Sequence, residues 1–169
     1  MFLDRDGTII RDVGYLRDPS EVTLLPGSVE ALSMMSAAGF MLILASNQSG
    51  IGRGLITQEQ ADRVHRRFEE LLDGEGVRLS ASYYCPHRPE DNCQCRKPRT
   101  GLLERASMEL DIDLRTSVMV GDSESDADAG AASGCRAILI DPTGIGCPRA
   151  CCTVPDLASA AELVLKGWE

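Results

Sequence analysis

The sequence predicts an α/β protein in which a parallel, Rossmann-like sheet carries helices on both faces. Short apolar runs alternate with segments of helical periodicity along the chain, as in repeated βαβ units. Carboxylates follow two of these runs closely, at Asp4 and at Asp122, and strand ends are where open α/β sheets bind ligands. At 169 residues the chain is long enough for a proper core, so we expect one domain spanning residues 1–169.

The strands are predicted from short runs of apolar and β-branched residues. The first run is short for a strand in this position, which leaves open whether native residues precede Met1. The second run, after Gly39, is wholly apolar, as expected for a strand buried on both faces. The predicted strands cover residues 1–3, 41–45, 82–85, 117–120 and 137–140.

The helices are predicted from apolar residues spaced three or four positions apart and from their caps. The first begins after Pro26 and stops at Gly39. Thr57 has the side chain of an N-cap for the next helix, predicted to extend to Leu72. Its apolar face is predicted to consist of Ala61, Val64, Phe68 and Leu71. The later helices are predicted at residues 102–110, 125–132 and 157–165.

Composition and charge exclude several classes of function. The chain is 43% hydrophobic and 25% charged, as in ordinary globular proteins. No apolar run approaches the ~20 residues of a membrane helix, and Asp4 and Asp6 interrupt the only apolar start. A net charge of −9 disfavours polyanions, so we expect no nucleic-acid partner. Because no such apolar run or signal peptide is present, we also expect no membrane partner and a cytoplasmic protein, which we take to be a monomer. A small phosphorylated ligand is compatible with this net charge if a cation and a few basic side chains offset the negative potential at the binding site.

Two acids lie one residue apart behind the first predicted strand. Asp4 is placed to attack phosphorus, and Asp6 to protonate the leaving oxygen and then deprotonate water. Asp6 must hold a proton for this purpose, which nearby negative charge favours. The Ser46 hydroxyl and the Lys97 charge can bind phosphoryl oxygens. Taken alone, each of these residues more often belongs to a turn, caps a helix or is a solvated charge. Their order along the chain, however, favours a site for phosphoryl transfer.

Asp126 lies one helical turn beyond Asp122, so both side chains can face the same site. We expect Asp126 to orient the groups around a bound metal ion without binding the ion itself. Mg²⁺ is the cation that suits this chemistry, because it prefers hard oxygen ligands and keeps some of its waters.

Three cysteines and one of the two histidines lie within eleven residues of each other. Three thiolates and one imidazole form a closed tetrahedral set for a structural Zn²⁺, although four unrelated buried residues are the simpler alternative. The loop leads directly into Arg96 and Lys97, so zinc would act indirectly by placing those two side chains. The predicted ligands are Cys85, His87, Cys93 and Cys95. The other cysteines are predicted to be reduced thiols, the last three in a surface loop: Cys135, Cys147, Cys151 and Cys152.

With these motifs in hand, the chain resembles the haloacid-dehalogenase-like phosphatase superfamily. The similarity is to a branch without a cap domain and with a zinc-bound loop, which includes heptose 1,7-bisphosphate phosphatases and histidinol-phosphate phosphatases. The resemblance implies Mg²⁺ bound by Asp4, the Asp6 backbone carbonyl and Asp122. It also implies a phosphate monoester as substrate, because dehalogenases and phosphonatases lack an acid at the position of Asp6.

Three features are more similar to the heptose enzymes: the Gly14-Tyr15 pair, the motif at residues 46–54 with its Arg53, and the entry to the zinc loop at residues 83–87. We therefore expect removal of the 7-phosphate of D-glycero-D-manno-heptose 1,7-bisphosphate, in the making of lipopolysaccharide precursors. Arg53 and Arg96 could pair bidentately with the second phosphate. The candidate substrate-binding residues are Gly14, Tyr15, Asn47, Gln48, Ser49, Arg53, Arg96 and Lys97.

Two positions depart from the heptose enzymes. Val13 stands where they often have histidine, and Ser123 where many members have lysine, which removes a positive charge beside the metal. A histidinol-phosphate phosphatase is therefore the nearest alternative. A phosphotransferase and a non-catalytic binding module on the same fold are the others, and the presence of both Asp4 and Asp6 argues against the binding module.

Overall fold

The computed structural model describes residues 1–167 and contains a six-stranded sheet in the order β3-β2-β1-β4-β5-β6. Each pairing of neighbouring strands in this sheet is parallel, as the sequence predicts. The order reverses at β1, so the connections after β1 and β4 diverge and leave a crevice at the carboxyl ends of these strands. The strands are β1 Phe2–Leu3, β2 Ile43–Asn47, β3 Ala81–Cys85, β4 Val118–Gly121, β5 Arg136–Ile140 and β6 Cys152–Val154.

Six α-helices connect or flank these strands in the described part of the chain. The predicted cap of the third helix is confirmed: Thr57 Oγ1 accepts from Gln60 N–H, and Gln60 Oε1 accepts from Thr57 N–H. No helix among residues 1–167 is long and apolar enough to cross a lipid bilayer. The helices are α1 Ser28–Ala37, α2 Ser49–Gly52, α3 Gln58–Gly74, α4 Gly101–Leu110, α5 Glu124–Ala132 and α6 Leu157–Leu165.

The two faces of the sheet carry separate hydrophobic clusters because successive strand residues point in opposite directions. Leu3, Leu44 and Val120 are in register and pack under α1, α3 and α6. Phe2 and Met119 point to the other face, where α4 and α5 pack. The prediction of helices on both faces is thus confirmed, and the central strands are buried on both sides, which explains their mostly apolar sequences.

The structure corrects three details of the sequence prediction. β2 continues to Asn47, so Ser46 lies inside the strand. The buried face of α3 ends on Leu72, while Leu71 is only partly buried, because Leu72 completes the four-residue spacing from Phe68. A short edge strand, β6, occupies part of the segment that was predicted to be a surface loop. None of the seven cysteines forms a disulfide among the described residues.

Candidate active site

The four predicted acids converge at the carboxyl ends of β1 and β4. Asp4 and Asp6 follow β1, Asp122 follows β4, and Asp126 reaches back from the first turn of α5. All four line a cleft of about 470 Å³. A larger neighbouring cavity of about 730 Å³ shares Asp122 with this cleft, but none of its lining residues is basic. We therefore assign phosphoryl chemistry to the smaller cleft, which also contains Arg96 and Lys97.

Lys97 is the cationic centre of this cleft, although only 2% of its surface is exposed. Its Nζ lies 3.0 Å from Asp4 Oδ1 and 2.5 Å from Asp126 Oδ1, and it donates to the Ala45 carbonyl at 2.5 Å. Burial alone would lower the pKa of Lys97, but the two carboxylates outweigh burial and raise it. The ammonium group therefore remains charged beside the predicted nucleophile.

Asn47 holds the backbone of Lys97 in place. Its Nδ2 donates to the Lys97 carbonyl and its Oδ1 accepts from the Lys97 N–H, both at 3.0 Å. The sequence predicted a substrate-binding role for Asn47. In the structure its amide side chain is engaged with Lys97, although the residue also lines the cleft.

Asp6 sits between a buried arginine and a glutamine. Arg5 Nη2 lies 3.0 Å from Asp6 Oδ2, and Gln48 Nε2 donates to the same oxygen at 2.7 Å. Burial raises the pKa of Asp6, while Arg5 and Gln48 oppose that rise and Asp4 adds to it. The expected rise is present, but burial contributes more to it than the negative charge invoked from the sequence.

Arg5 was not identified from the sequence. A basic residue between two acids reads as a solvated charge, and nothing local indicates that Arg5 is only 2% exposed. Its Cζ lies 5.7 Å from the centre of the Tyr84 ring on β3. Burial of Arg5 therefore depends on a strand far away in the sequence, and no short motif could have revealed it.

The cleft could hold a cation. Carboxylate oxygens of Asp4, Asp122 and Asp126 lie within 4.8 Å of one another. Burial, followed by the charges of Asp4 and Asp126, raises the pKa of Asp122 to about 7. Only Asp4 and Asp126 of these three acids pair with the Lys97 ammonium group, so the residues present fit a divalent cation with oxygen ligands.

Two glycines make room for the acids of this cluster. A Cβ atom on Gly7 would lie 1.9 Å from Asp122 Oδ2, and one on Gly121 would lie 2.3 Å from Asp126 Cγ. Gly7 also has a φ of +78°, in the left-handed region that favours glycine. The glycines of the Asp-Gly-Thr and Gly-Asp motifs thus serve the packing of the carboxylates.

The remaining predicted substrate residues do not all reach the cleft. Ser46 is 1% exposed, and its hydroxyl accepts from Gln48 Nε2 at 3.1 Å, beneath the surface of the cleft. Arg53 does not line the cleft: it is exposed, and its Nη2 lies 3.9 Å from Glu90 Oε1. The residues of this group that do line it are Gly14, Tyr15, Gln48, Ser49 and Arg96.

The predicted zinc ligands form a second cluster beside the cleft. Ligand atoms of Cys85, His87, Cys93 and Cys95 all lie within 4.8 Å of one another. Cys95 Sγ lies 3.2 Å from Cys85 Sγ and 3.5 Å from Cys93 Sγ. Sulfurs bonded to a tetrahedral Zn²⁺ at about 2.3 Å would be separated by about 3.7 Å, so small movements would produce a closed metal site.

Sequence comparison identifies relatives over most of the chain. A family model described as HAD-hydrolase-like matches residues 94–160. A probable D-glycero-D-manno-heptose-1,7-bisphosphate 7-phosphatase of Thermoplasma volcanium is 43% identical over 72% of this chain and 84% of the relative. A D-glycero-beta-D-manno-heptose-1,7-bisphosphate 7-phosphatase of Pseudomonas aeruginosa is 36% identical over 98% of this chain and 97% of the relative.

Structure comparison agrees with the sequence relatives. The crystal structure of D,D-heptose 1,7-bisphosphate phosphatase from B. bronchiseptica, complexed with magnesium and phosphate, superimposes with a TM-score of 0.90. It is 34% identical to this chain, and the match covers 98% of this chain and 97% of that enzyme. The chain therefore belongs to the haloacid-dehalogenase-like superfamily, within the family of D-glycero-D-manno-heptose-1,7-bisphosphate 7-phosphatases.

Proposed function

We propose that the protein is a Mg²⁺-dependent phosphomonoesterase that removes the 7-phosphate of D-glycero-D-manno-heptose 1,7-bisphosphate through a phosphorylated Asp4. The observation that carries this proposal is the convergence of Asp4, Asp6, Lys97 and Asp122 in one cleft. The names of the relatives support the substrate, and the magnesium and phosphate of the B. bronchiseptica enzyme support the cation and the reaction.

In the first step a carboxylate oxygen of Asp4 attacks phosphorus, and the bond to the sugar oxygen breaks. Asp6 gives its proton to that departing oxygen, so the sugar leaves as a neutral alcohol. The raised pKa of Asp6 suits this role, since its carboxyl group keeps a proton at a higher pH than an ordinary aspartate. Lys97 holds Asp4 in place and adds positive charge where the phosphoryl oxygens come to lie.

In the second step Asp6, now ionised, takes a proton from water. The resulting hydroxide attacks the phosphorus of the phosphorylated Asp4, and inorganic phosphate leaves while the Asp4 carboxylate is restored. Asp6 thus acts first as acid and then as base, and it begins each cycle protonated. Gln48 and Arg5 keep its carboxyl group oriented in both steps.

Asp4, Asp122 and the Asp6 backbone carbonyl would hold Mg²⁺, with Asp126 beside them. When bound, the cation supplies positive charge that reduces the repulsion between the Asp4 carboxylate and the anionic phosphoryl group. Asp126 has a separate role in this proposal, because its carboxylate fixes the Lys97 ammonium at the site.

A Zn²⁺ ion would be held by Cys85, His87, Cys93 and Cys95. It would be structural, because a closed set of four ligands leaves no position for water. Arg96 follows this cluster directly and donates from Nη1 to the His87 carbonyl at 3.4 Å. The zinc loop would therefore place Arg96 and Lys97 along one side of the cleft.

Arg96 and Tyr15 are the side chains best placed to meet the rest of the substrate, since both line the cleft. Arg53 lies farther out on the rim, and we propose that it pairs with the second phosphate when the bisphosphate binds. The net charge of −9 argues against a nucleic-acid partner. We propose a small phosphorylated sugar as the ligand and a cytoplasmic monomer as the state of the protein.

Phosphate release in Mg²⁺ tests this function, with heptose 1,7-bisphosphate and histidinol phosphate measured side by side. We expect higher kcat/KM for the bisphosphate and loss of at least about 10⁴-fold in Asp4→Asn, since the nucleophile is removed. Asp128→Asn, an acid on α5 outside the cleft, is the matched control and should retain activity.

Removing Arg53 distinguishes the two substrates. Arg53→Ala should lower kcat/KM for the bisphosphate about ten-fold or more, whereas Ala at the exposed Arg66 should not. A preference for histidinol phosphate would be consistent with the proposed mechanism but would contradict the proposed substrate. Turnover that survives in Asp4→Asn would overturn the mechanism itself.

A further inference from the structure

A chain of side-chain contacts leads from Asp6 behind the cleft to the protein surface. It begins at Arg5, whose Nη2 contacts both Asp6 carboxylate oxygens, at 3.2 Å and 3.0 Å, while its Nε lies 3.3 Å from Oδ1. The Arg5 side chain is 3% exposed, so water cannot replace these contacts easily. A guanidinium group forms a rigid planar fork, and the orientation of that fork therefore sets the orientation of the Asp6 carboxyl group.

Tyr84 on β3 holds the other side of Arg5. The guanidinium group lies over the Tyr84 ring, with its Cζ 5.7 Å from the ring centre. The Tyr84 hydroxyl in turn makes a short hydrogen bond to His65 Nδ1 on α3. His65 also packs edge-on against the Tyr84 ring, with ring centres 4.9 Å apart, so the two side chains fix one another.

His65 ends the chain at the protein surface. Its Nε2 lies 3.1 Å from Glu69 Oε1, and the Glu69 side chain is 47% exposed. Since Glu69 can only accept, His65 Nε2 carries the proton, and a neutral His65 then accepts at Nδ1 from the Tyr84 hydroxyl. The donors therefore run in one direction, from Tyr84 to His65 to Glu69, and the cation–π contact joins Arg5 to the Tyr84 ring at the start of this chain.

We propose that Tyr84 and His65 are positioning residues that hold the Arg5 fork against Asp6, so that the Asp6 carboxyl group points its proton at the leaving oxygen. This inference rests on the proposed phosphatase function and adds two residues that touch neither the cleft nor a metal ligand atom. Protonation matters most when the departing alcohol is strongly basic, as a sugar alcohol is. It matters little for 4-nitrophenolate, which leaves readily without a proton.

The test is kcat/KM for heptose 1,7-bisphosphate and for 4-nitrophenyl phosphate in Tyr84→Phe and His65→Leu. This parameter reports the steps up to departure of the alcohol, so the later attack of water does not obscure it. We expect a loss of about ten-fold with the sugar ester and less than two-fold with the aryl ester. Arg5→Met should show the same selectivity with a larger loss on the sugar ester.

Tyr83→Phe is the matched control. Tyr83 is the preceding residue of β3, and its hydroxyl donates to Glu109 Oε2 at 2.8 Å within the other face of the sheet. This variant loses a comparable tyrosine hydrogen bond, and we expect an unchanged ratio between the two esters. A variant that merely lowers the fraction of folded protein would reduce both rates equally, so instability cannot imitate the predicted selectivity.

Equal losses on both esters, or a Tyr84→Phe variant with wild-type rates on both, would overturn the positioning role. A wild-type protein that hydrolyses neither ester would instead overturn the proposed function, and the inference with it. The two kinds of failure are distinguishable, because the wild-type protein turns over substrate when only the positioning role fails and does not when the proposed function fails.

Discussion

The Lys97 ammonium lies 2.5 Å from Asp126 Oδ1, and both side chains are 1% exposed. The same nitrogen lies 3.0 Å from Asp4 Oδ1, so one buried positive charge serves two carboxylates. Buried charges are tolerated when their partners are in place, and loss of a partner leaves an uncompensated charge. The position of the nucleophile is therefore tied to the charge of Lys97.

Replacing Lys97 by methionine should destabilise the metal-free protein at pH 8 by about 3–5 kcal/mol, because Asp4 and Asp126 lose their shared cation. Urea unfolding measures this change. Lys166→Met is the control, since Lys166 pairs with Glu162 on the exposed side of α6, and its loss should be below about 1 kcal/mol. Equal effects in the two variants would show that the carboxylates do not depend on Lys97.

Gly7→Ala should remove Mg²⁺ binding and lower kcat/KM by about 100-fold, because the added Cβ forces the Asp122 carboxylate to move. Gly76→Ala is a closely matched control. Gly76 has a φ of +77° against +78° at Gly7, but an added Cβ would meet nothing within 4 Å. Both variants should lose about 1–2 kcal/mol from backbone strain, and only Gly7→Ala should lose activity. Calorimetric Mg²⁺ titration and phosphate release would separate the two effects.

The sequence predicts which acids converge in the cleft and which cysteines and histidine cluster beside it, because both follow from local spacing. Asp4 and Asp122 end apolar strands of a parallel sheet, so their side chains must meet at one edge. The network behind Asp6 could not be predicted, since Arg5 becomes buried only when Tyr84 packs over it. Arg53 directly follows the short helix α2, where its guanidinium group lies near Glu90 and does not line the cleft, and the sequence pattern did not reveal this position.

The limits of secondary-structure prediction have similar causes. β6 has only three residues, Cys152–Val154, all half-buried, and pairs with β5 alone, so it is too short for a strand pattern to be recognised in the sequence. Leu71 and Leu72 are equally apolar, and only the packing of α3 against the sheet selects Leu72 for the core. In both cases tertiary contacts decide what the local pattern leaves open.

Cys95→Ser should release zinc and lower both stability and activity, because the loop that carries Arg96 and Lys97 loses its fixed end. We expect less than one zinc per chain in the purified variant and a fall in kcat of about ten-fold or more. Cys151→Ser, at an exposed thiol outside the cluster, should retain zinc and activity. Metal analysis of both variants, with phosphate release measured in parallel, provides the check, and full activity in zinc-free protein would contradict the role of the loop.

Asp122→Asn should stabilise the metal-free protein at pH 8 while removing stabilisation by Mg²⁺. The pKa of Asp122 rises from its ordinary 3.8 to about 7 on folding, so the folded state holds a proton that the unfolded state releases. Its contribution to stability is therefore complete below pH 3.8 and lost as the pH rises to about 7. Asp122 is exposed to solvent, and after screening we expect a gain of about 1 kcal/mol, or about 2–4 °C in melting temperature.

Melting curves at pH 4 and pH 8, with and without Mg²⁺, measure this linkage. The difference between wild type and Asp122→Asn should be small at pH 4 and present at pH 8. A wild-type protein that is more stable than the variant at pH 8 without metal would contradict the raised pKa. Equal stabilisation of both proteins by Mg²⁺ would exclude Asp122 as a ligand.

The most direct test of the central claim is to stop the reaction of heptose 1,7-bisphosphate during turnover and locate the phosphoryl group on the protein by mass spectrometry. The mechanism predicts phosphate on Asp4, present while substrate remains, absent once it is exhausted, and absent in Asp4→Asn. Turnover without a phosphorylated protein, or with phosphate on a residue other than Asp4, would contradict it.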